Sequence, residues 1–151
     1  MKITPGKLAP EQLLLDPNNY RFHDVAGYKR VASRARYGEK GVQEKALQLL
    51  QTTETFELSA LRDSIVTNSF VPLEQIVVEK FDNEGPGGKP RYLVIEGNRR
   101  VAAVKTLLAD QAAGTLDIPS QVLASLSELP VAGLEGTERV QQVSREVLRI
   151  E

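Results

Sequence analysis

The chain has 151 residues, 41% hydrophobic and 26% charged, with a net charge of −1, which suits a globular fold rather than a disordered tail or a polycation. It has no cysteine and one histidine, His23, so disulfides, thiolate catalysis and cysteine-ligated zinc are excluded, and a His-rich metal site or a Ser-His-Asp triad is argued against. The apolar runs are too short to span a membrane and residues 1–6 lead into no signal-peptide core, so a single cytoplasmic domain with no membrane partner is expected.

In chain order, the first signal is Leu13-Leu14-Leu15 closed by Asp16-Pro17-Asn18-Asn19. An apolar run ending in turn residues reads as a brief buried strand entering a loop. Asp24 can cap a helix over residues 25–37, with Tyr28, Val31, Ala32 and Ala35 on one face and Lys29, Arg30 and Arg36 largely off it. From Arg21 to Arg36, five basic residues (Arg21, Lys29, Arg30, Arg34, Arg36) stand against one acid, Asp24. This patch reads either as a solvated face or as a contact for DNA or phosphate. Tyr37-Gly38 ends that helix, and Val42, Ala46, Leu49 and Leu50 give the next its stripe.

Thr55 can cap a third helix with the stripe Leu58, Leu61 and Ile65, stopping near Asn68-Ser69. Residues 73–81 include the β-rich Ile76-Val77-Val78, and residues 91–95 return as a strand, which makes a hairpin with a long tip over residues 82–90. That tip holds three glycines without the GxxxxGK[ST] order, so it is not a P-loop. A fourth helix is expected over about residues 98–113, with Val101, Val104, Leu107 and Leu108 inward and Gly114 just past its end. After Asp117-Ile118-Pro119 the pattern is helical again, over residues 122–129 and about 135–151. Val140, Val143, Val147 and Ile150 form a stripe with no end signal before Glu151, which reads as a truncated chain or a docking surface for a following domain.

The stretch Ile95-Glu96-Gly97-Asn98-Arg99-Arg100 carries the most chemistry. It reads as a strand end, a glycine turn and a helix start. The first amides of a helix lack internal partners and meet the positive end of its dipole, so they suit an anion. Arg99 and Arg100 add planar charged forks that match phosphate; being adjacent, they project about 100° apart, so one can face a ligand while the other pairs with an acid. Glu96 can hold Mg²⁺, act as a general base, or pair with one of these arginines. Gly97 supplies a positive φ or a close approach to a ligand, and Asn98 suits an N-cap as well as a ligand contact. Arg21 can reach the same site from the other strand. His23 reads as a loop residue rather than a base. Ser64, Thr67 and Asn68 lie at a helix end, where they either read a base or ribose or cap the helix.

Three pieces in order resemble the N-terminal domain of the ParB/sulfiredoxin superfamily. They are Leu13-Leu14-Leu15 with Asp16-Pro17-Asn18-Asn19-Tyr20-Arg21, then the helix of residues 61–68, then Gly97-Asn98-Arg99-Arg100-Val101-Ala102-Ala103. The resemblance covers about residues 8–120. It implies an α+β fold, a small mixed sheet flanked by helices, with a helical insertion over about 24–52 and a helical C-terminal extension over about 120–151. It also implies a nucleotide site that holds phosphates at the Gly97 turn, with ATP or CTP and Mg²⁺ as cofactors. Relatives include CTP-hydrolysing DNA clamps, ATPases with nuclease activity, a free-serine kinase and sulfiredoxin, so the fold does not choose a chemistry. Sulfiredoxin chemistry is out, because its nucleophile is a cysteine. Partition-type relatives usually carry glutamate where this chain has Asn98, and glycine where it has Ser69; here the acid, Glu96, precedes the glycine.

Three readings follow. The first is a Mg²⁺-dependent nucleotide-binding domain of a DNA-associated protein. The second is an enzyme on the same fold, an NTPase, nuclease or small-molecule kinase, with Glu96 as base or metal ligand. The third is a non-catalytic module that binds DNA through residues 21–36, a second copy of itself, or a partner.

Overall fold

The computed structural model describes residues 3–53, 56–70 and 75–134. The fold is α+β. Five strands form one mixed sheet: β1 (Ile3–Leu8), β2 (Leu13–Leu14), β3 (Ile76–Asp82), β4 (Arg91–Glu96) and β5 (Leu129–Leu134), in the order β1-β5-β3-β4-β2. β1 runs antiparallel to β5 and β3 antiparallel to β4, whereas β5 runs parallel to β3 and β2 parallel to β4. Among the described residues there are four α-helices: α1 (Lys40–Thr52), α2 (Leu58–Asn68), α3 (Asn98–Ala112) and α4 (Ser120–Ser125).

Strand alternation sends Ile76 and Val78 of β3, with Tyr92 and Val94 of β4, into the core. There they meet Leu49 and Leu50 of α1, Leu58 and Ile65 of α2, and Val101, Val104 and Leu107 of α3. Each such side chain removed from water contributes about 1.5–3 kcal/mol. The 3.6-residue stripes of α1, α2 and α3 were legible for this reason. The hairpin forms as expected, its tip closed by the bonds of Arg91 to the Asp82 carboxylate. Gly114, at φ +77°, follows the C-cap of α3 and takes the left-handed position that ends the helix.

Several expectations are corrected. Residues 25–37 do not form a helix capped by Asp24; they hold only a 3₁₀ turn at Arg34–Arg36, preceded by another at Tyr20–Phe22. The cause is Asn18. Its carboxamide donates to the Val31 carbonyl and the Tyr37 hydroxyl, and accepts from the Val31 N–H and the Tyr28 hydroxyl. Those bonds fix the segment as an irregular strap across the second face of the sheet, where Arg34 bonds Glu79 and Tyr37 stacks on Phe81. The insertion is therefore helical only over α1. Glu57, not Thr55, occupies the N-cap position of α2, and Thr55 lies outside the described residues. Gly97 occupies the N-cap position of α3, so Asn98 is its first helical residue.

The C-terminal extension is not helical throughout. α4 ends at Ser125 and β5 follows, inserted between β1 and β3. Residues 135–151, with the apolar stripe and the docking surface expected there, lie outside the described residues, as do Leu73 and Glu74 of the expected strand. Among the described residues no helix is long and apolar enough to cross a membrane.

Candidate functional site

The site is built where β4 passes into α3. Gly97 has φ +98°, and a Cβ placed on it would lie 3.1 Å from Ile76 Cγ1 and 3.2 Å from Ile76 Cα. A side chain is thus opposed twice, by conformation and by the close passage of β3. The first helical bond runs from the Val101 N–H to the Gly97 carbonyl, so the amides of Asn98, Arg99 and Arg100 precede the helical ladder.

The three side chains after Gly97 divide. Asn98 is buried; its oxygen accepts the Asp16 N–H at 2.9 Å and its amide donates to the Val94 carbonyl at 3.3 Å. It joins the Asp16 turn to the start of α3 and is turned inward. Arg99 donates to the carbonyl of Phe56 at 3.0 Å. Phe56 in turn packs edge-on against Phe22, in the 3₁₀ turn that carries Arg21. Arg100 lies with its guanidinium 5.5 Å from the centre of the Phe70 ring.

Arg100 shares a cleft of about 370 Å³ with Leu61, Ser64, Ile65, Asn68, Ser69 and Phe70. The cleft lies between the C-terminal half of α2 and the first turn of α3. Of the residues singled out by sequence, it brings together Ser64, Asn68 and Arg100. Thr67 is exposed on α2 outside this lining, and Arg21 is exposed beside Tyr20, its guanidinium 5.6 Å from that ring. Sequence reasoning singled out Ser69 only as a departure from the resembled pattern, and it missed Phe70 as a lining residue. The signal available was their position directly after the last turn of α2. Ser69 has φ +63° and ψ 175°, a conformation nearly confined to glycine. The neighbouring Phe70 N–H donates to the Ser125 hydroxyl at 3.3 Å, holding the α2 exit against α4.

Glu96 is exposed at the end of β4, and among the described residues no ion pair or hydrogen bond engages its carboxylate; it does not line the cleft. Among the described residues no group of three or more His, Cys, Asp or Glu side chains is placed to hold a metal ion. Magnesium carried largely by phosphate oxygens and water needs only one or two carboxylates, and Glu96 fits that demand.

The basic segment is partly engaged within the protein. Arg34 pairs with Glu79 and lies over Phe81, and Arg36 pairs with Glu39. Lys29 and Arg30 are exposed. His23 is exposed, its ring centre 5.9 Å from that of Tyr28.

Asp16 faces a cleft on the strap side of the sheet, together with Asn18, His23, Arg34 and Tyr37. Burial pushes its carboxyl above the ordinary aspartate range; the Asn18 N–H and the Arg34 charge oppose the shift and the Glu79 charge adds to it.

No protein-family model matches the chain, and neither a curated protein nor a solved structure matches it. The site stands on its own geometry: one cleft that joins the end of α2 to the arginine-bearing start of α3.

Proposed function

We propose that the chain is a nucleotide-binding domain of ParB/sulfiredoxin type, with ATP or CTP held in the α2–α3 cleft and its phosphates at the Gly97 turn. The observation that carries this reading is the lining of one cleft by Ser64, Asn68, Ser69 and Arg100, next to amides that precede the helical ladder. Hydroxyl and amide groups on α2 suit a base or ribose, and the guanidinium with the helix start suits phosphate. The cleft falls within the volume range of small-ligand sites. Mg²⁺ would be held by Glu96 together with the phosphate oxygens, and it would neutralise charge on them.

Calorimetry with ATP, CTP, GTP and ADP, each with and without Mg²⁺, tests this. Saturable binding of at least one, weakened in Arg100→Ala, is expected. No binding of any of them by the wild-type chain would sink the reading.

Hydrolysis is the second reading, favoured by the exposed Glu96 carboxylate beside the turn, which no hydrogen bond or ion pair engages among the described residues. In this reading Glu96 activates water or positions the metal. Phosphate release that disappears in Glu96→Gln, with nucleotide affinity kept, is its expected signature. Association with DNA, through Arg21, Lys29 and Arg30 on the strap, would appear as affinity that falls steeply with added salt.

A further inference from the structure

Five residues beyond Arg100, and so about 140° around the helix, α3 carries Lys105. Its side chain is absent from the lining of the α2–α3 cleft and lines a second cavity of about 490 Å³ between β2, α1 and the hairpin tip. The walls there are largely apolar and include Leu13, Leu14, Leu15, Leu47 and Pro86. Lys105 Nζ donates to the Pro10 carbonyl at 3.0 Å, and among the described residues no carboxylate forms an ion pair with it. One carbonyl and apolar walls stabilise an ammonium less than a carboxylate partner would.

The other charged groups on this cavity are Glu11, Lys40, Glu44, Glu84 and Arg91. Lys40 stands 3.8 Å from Glu44, and Arg91 is held by Asp82 and the Gly38 carbonyl. Glu11 and Glu84 are in no ion pair among the described residues, and they give the rim a negative bias.

We propose that Lys105 is a nucleophilic lysine that captures a small uncharged aldehyde or ketone in this cavity as an imine. The amine lone pair forms the C–N bond. Both nitrogen protons leave and the carbonyl oxygen departs with them as water, so amine and carbonyl give imine and water with no oxidant or reductant. Burial lowers the Lys105 amine to about 8, against a smaller opposing effect of Glu11, so the neutral nucleophile is present near neutral pH. The leucine walls favour an apolar carbonyl compound, and Glu11 and Glu84 disfavour an anionic one. None of this depends on the nucleotide reading, because the two cavities share no lining residue.

The test is reductive capture on the full chain at pH 8, using benzaldehyde with cyanoborohydride and peptide mapping by mass spectrometry. At that pH about half of an amine titrating near 8 is neutral, against roughly 0.4% of an ordinary lysine, so Lys105 is expected to be labelled about tenfold or more faster than exposed lysines. Lys29 and Lys89, both exposed and outside this cavity, are the internal references. Lys105→Arg keeps a cation that can bond Pro10 and removes the nucleophile, so the cavity adduct should vanish while the circular dichroism spectrum stays unchanged. Should that variant misfold, the pH profile of labelling in the wild type decides: half-maximal near 8 supports the proposal, and half-maximal near 10 overturns it. Labelling of Lys105 no faster than of Lys29 or Lys89 also overturns it. Preferential capture of pyridoxal 5′-phosphate over benzaldehyde overturns the assignment to uncharged carbonyl compounds.

Discussion

The backbone N–H of Asp16 donates to the carboxamide oxygen of Asn98 at 2.9 Å, which joins two residues 82 positions apart. The same carboxamide donates to the Val94 carbonyl, so the turn after β2, the end of β4 and the first turn of α3 are held by one side chain. An amide suits this position. Only a group that both accepts and donates meets both partners. The carboxylate of Glu96 stands on the exposed side of the same turn.

Asn98→Ala therefore leaves a partly buried N–H and a buried carbonyl without this partner. A loss of about 1–3 kcal/mol in unfolding free energy is expected from urea denaturation. Asn98→Asp should not restore the wild-type value, because a carboxylate accepts from Asp16 but cannot donate to Val94. A variant as stable as the wild type would show that the bond contributes nothing.

Gly97→Ala meets both a left-handed backbone and the passage of Ile76 at 3.1 Å. The conformation alone costs on the order of 1 kcal/mol or more, and the contact requires β3 or α3 to shift. A lower thermal midpoint is expected, together with weaker nucleotide binding, because the amides after Gly97 would move.

Ser69 offers the opposite case. Its φ of +63° with ψ of 175° is strained for any side chain, so Ser69→Gly is expected to raise stability by about 1 kcal/mol. Ser69→Val should lower it. Because Ser69 lines the cleft, the same pair of variants reads its contribution to ligand binding by calorimetry. Unchanged stability in both would show that the α2 exit relaxes without cost.

Much of this was legible in the sequence, and the omissions have physical causes. α1, α2 and α3 follow stripes of single residues, and the hairpin is announced by Asp82, Gly85, Pro86 and Pro90 around its tip. β1 and β5 escaped notice because their pairing is remote, Ile3 opposite Leu134, and because Pro5, Gly6, Pro130 and Gly133 interrupt the strand pattern. The strap failed for another reason. Tyr28, Val31, Ala32 and Ala35 do fall at helical spacing, but Asn18 binds the backbone at Val31 from outside the segment. No periodicity within residues 25–37 reports such a bond. At the site, the glycine turn was legible, whereas the inward direction of Asn98 and the place of Ser69 in the cleft depend on packing between α2, α3 and β3.

Asp16 gives the stability a defined pH dependence. Burial raises its folded-state carboxyl above the ordinary value of 3.8, so the native state holds this proton more tightly than the unfolded chain does. The resulting stabilisation is complete below 3.8 and is lost as pH rises through the folded-state value. Asp16→Asn keeps an oxygen for the Asn18 N–H and removes the buried charge. It should be as stable as the wild type or more so at pH 7, with that advantage shrinking toward pH 3. Thermal midpoints of both proteins across this range test the sign. A wild type more stable at pH 7, with the gap closing in acid, would reverse it.

Arg99 and Arg100 are expected to separate in their effects. Arg99 is tied to the Phe56 carbonyl, and Phe56 is buried against Phe22, so Arg99→Ala removes a link between α3 and the turn that carries Arg21. That truncation leaves a carbonyl unmet and should cost about 1–3 kcal/mol of stability, with any change in nucleotide affinity following from the loosened turn. Arg100 lies in the cleft lining, over Phe70, where a phosphate could take its guanidinium fork. Loss of one charge-assisted contact, about 1.5–3 kcal/mol, corresponds to a fall in affinity of roughly 10- to 150-fold for Arg100→Ala. Arg100→Lys should recover only part of it, because an ammonium lacks the bidentate geometry. Calorimetry and urea denaturation on the same three variants give both quantities. If Arg99→Ala weakened nucleotide binding more than Arg100→Ala at equal stability, the phosphate would have to be reassigned to the Arg99 side of the helix start.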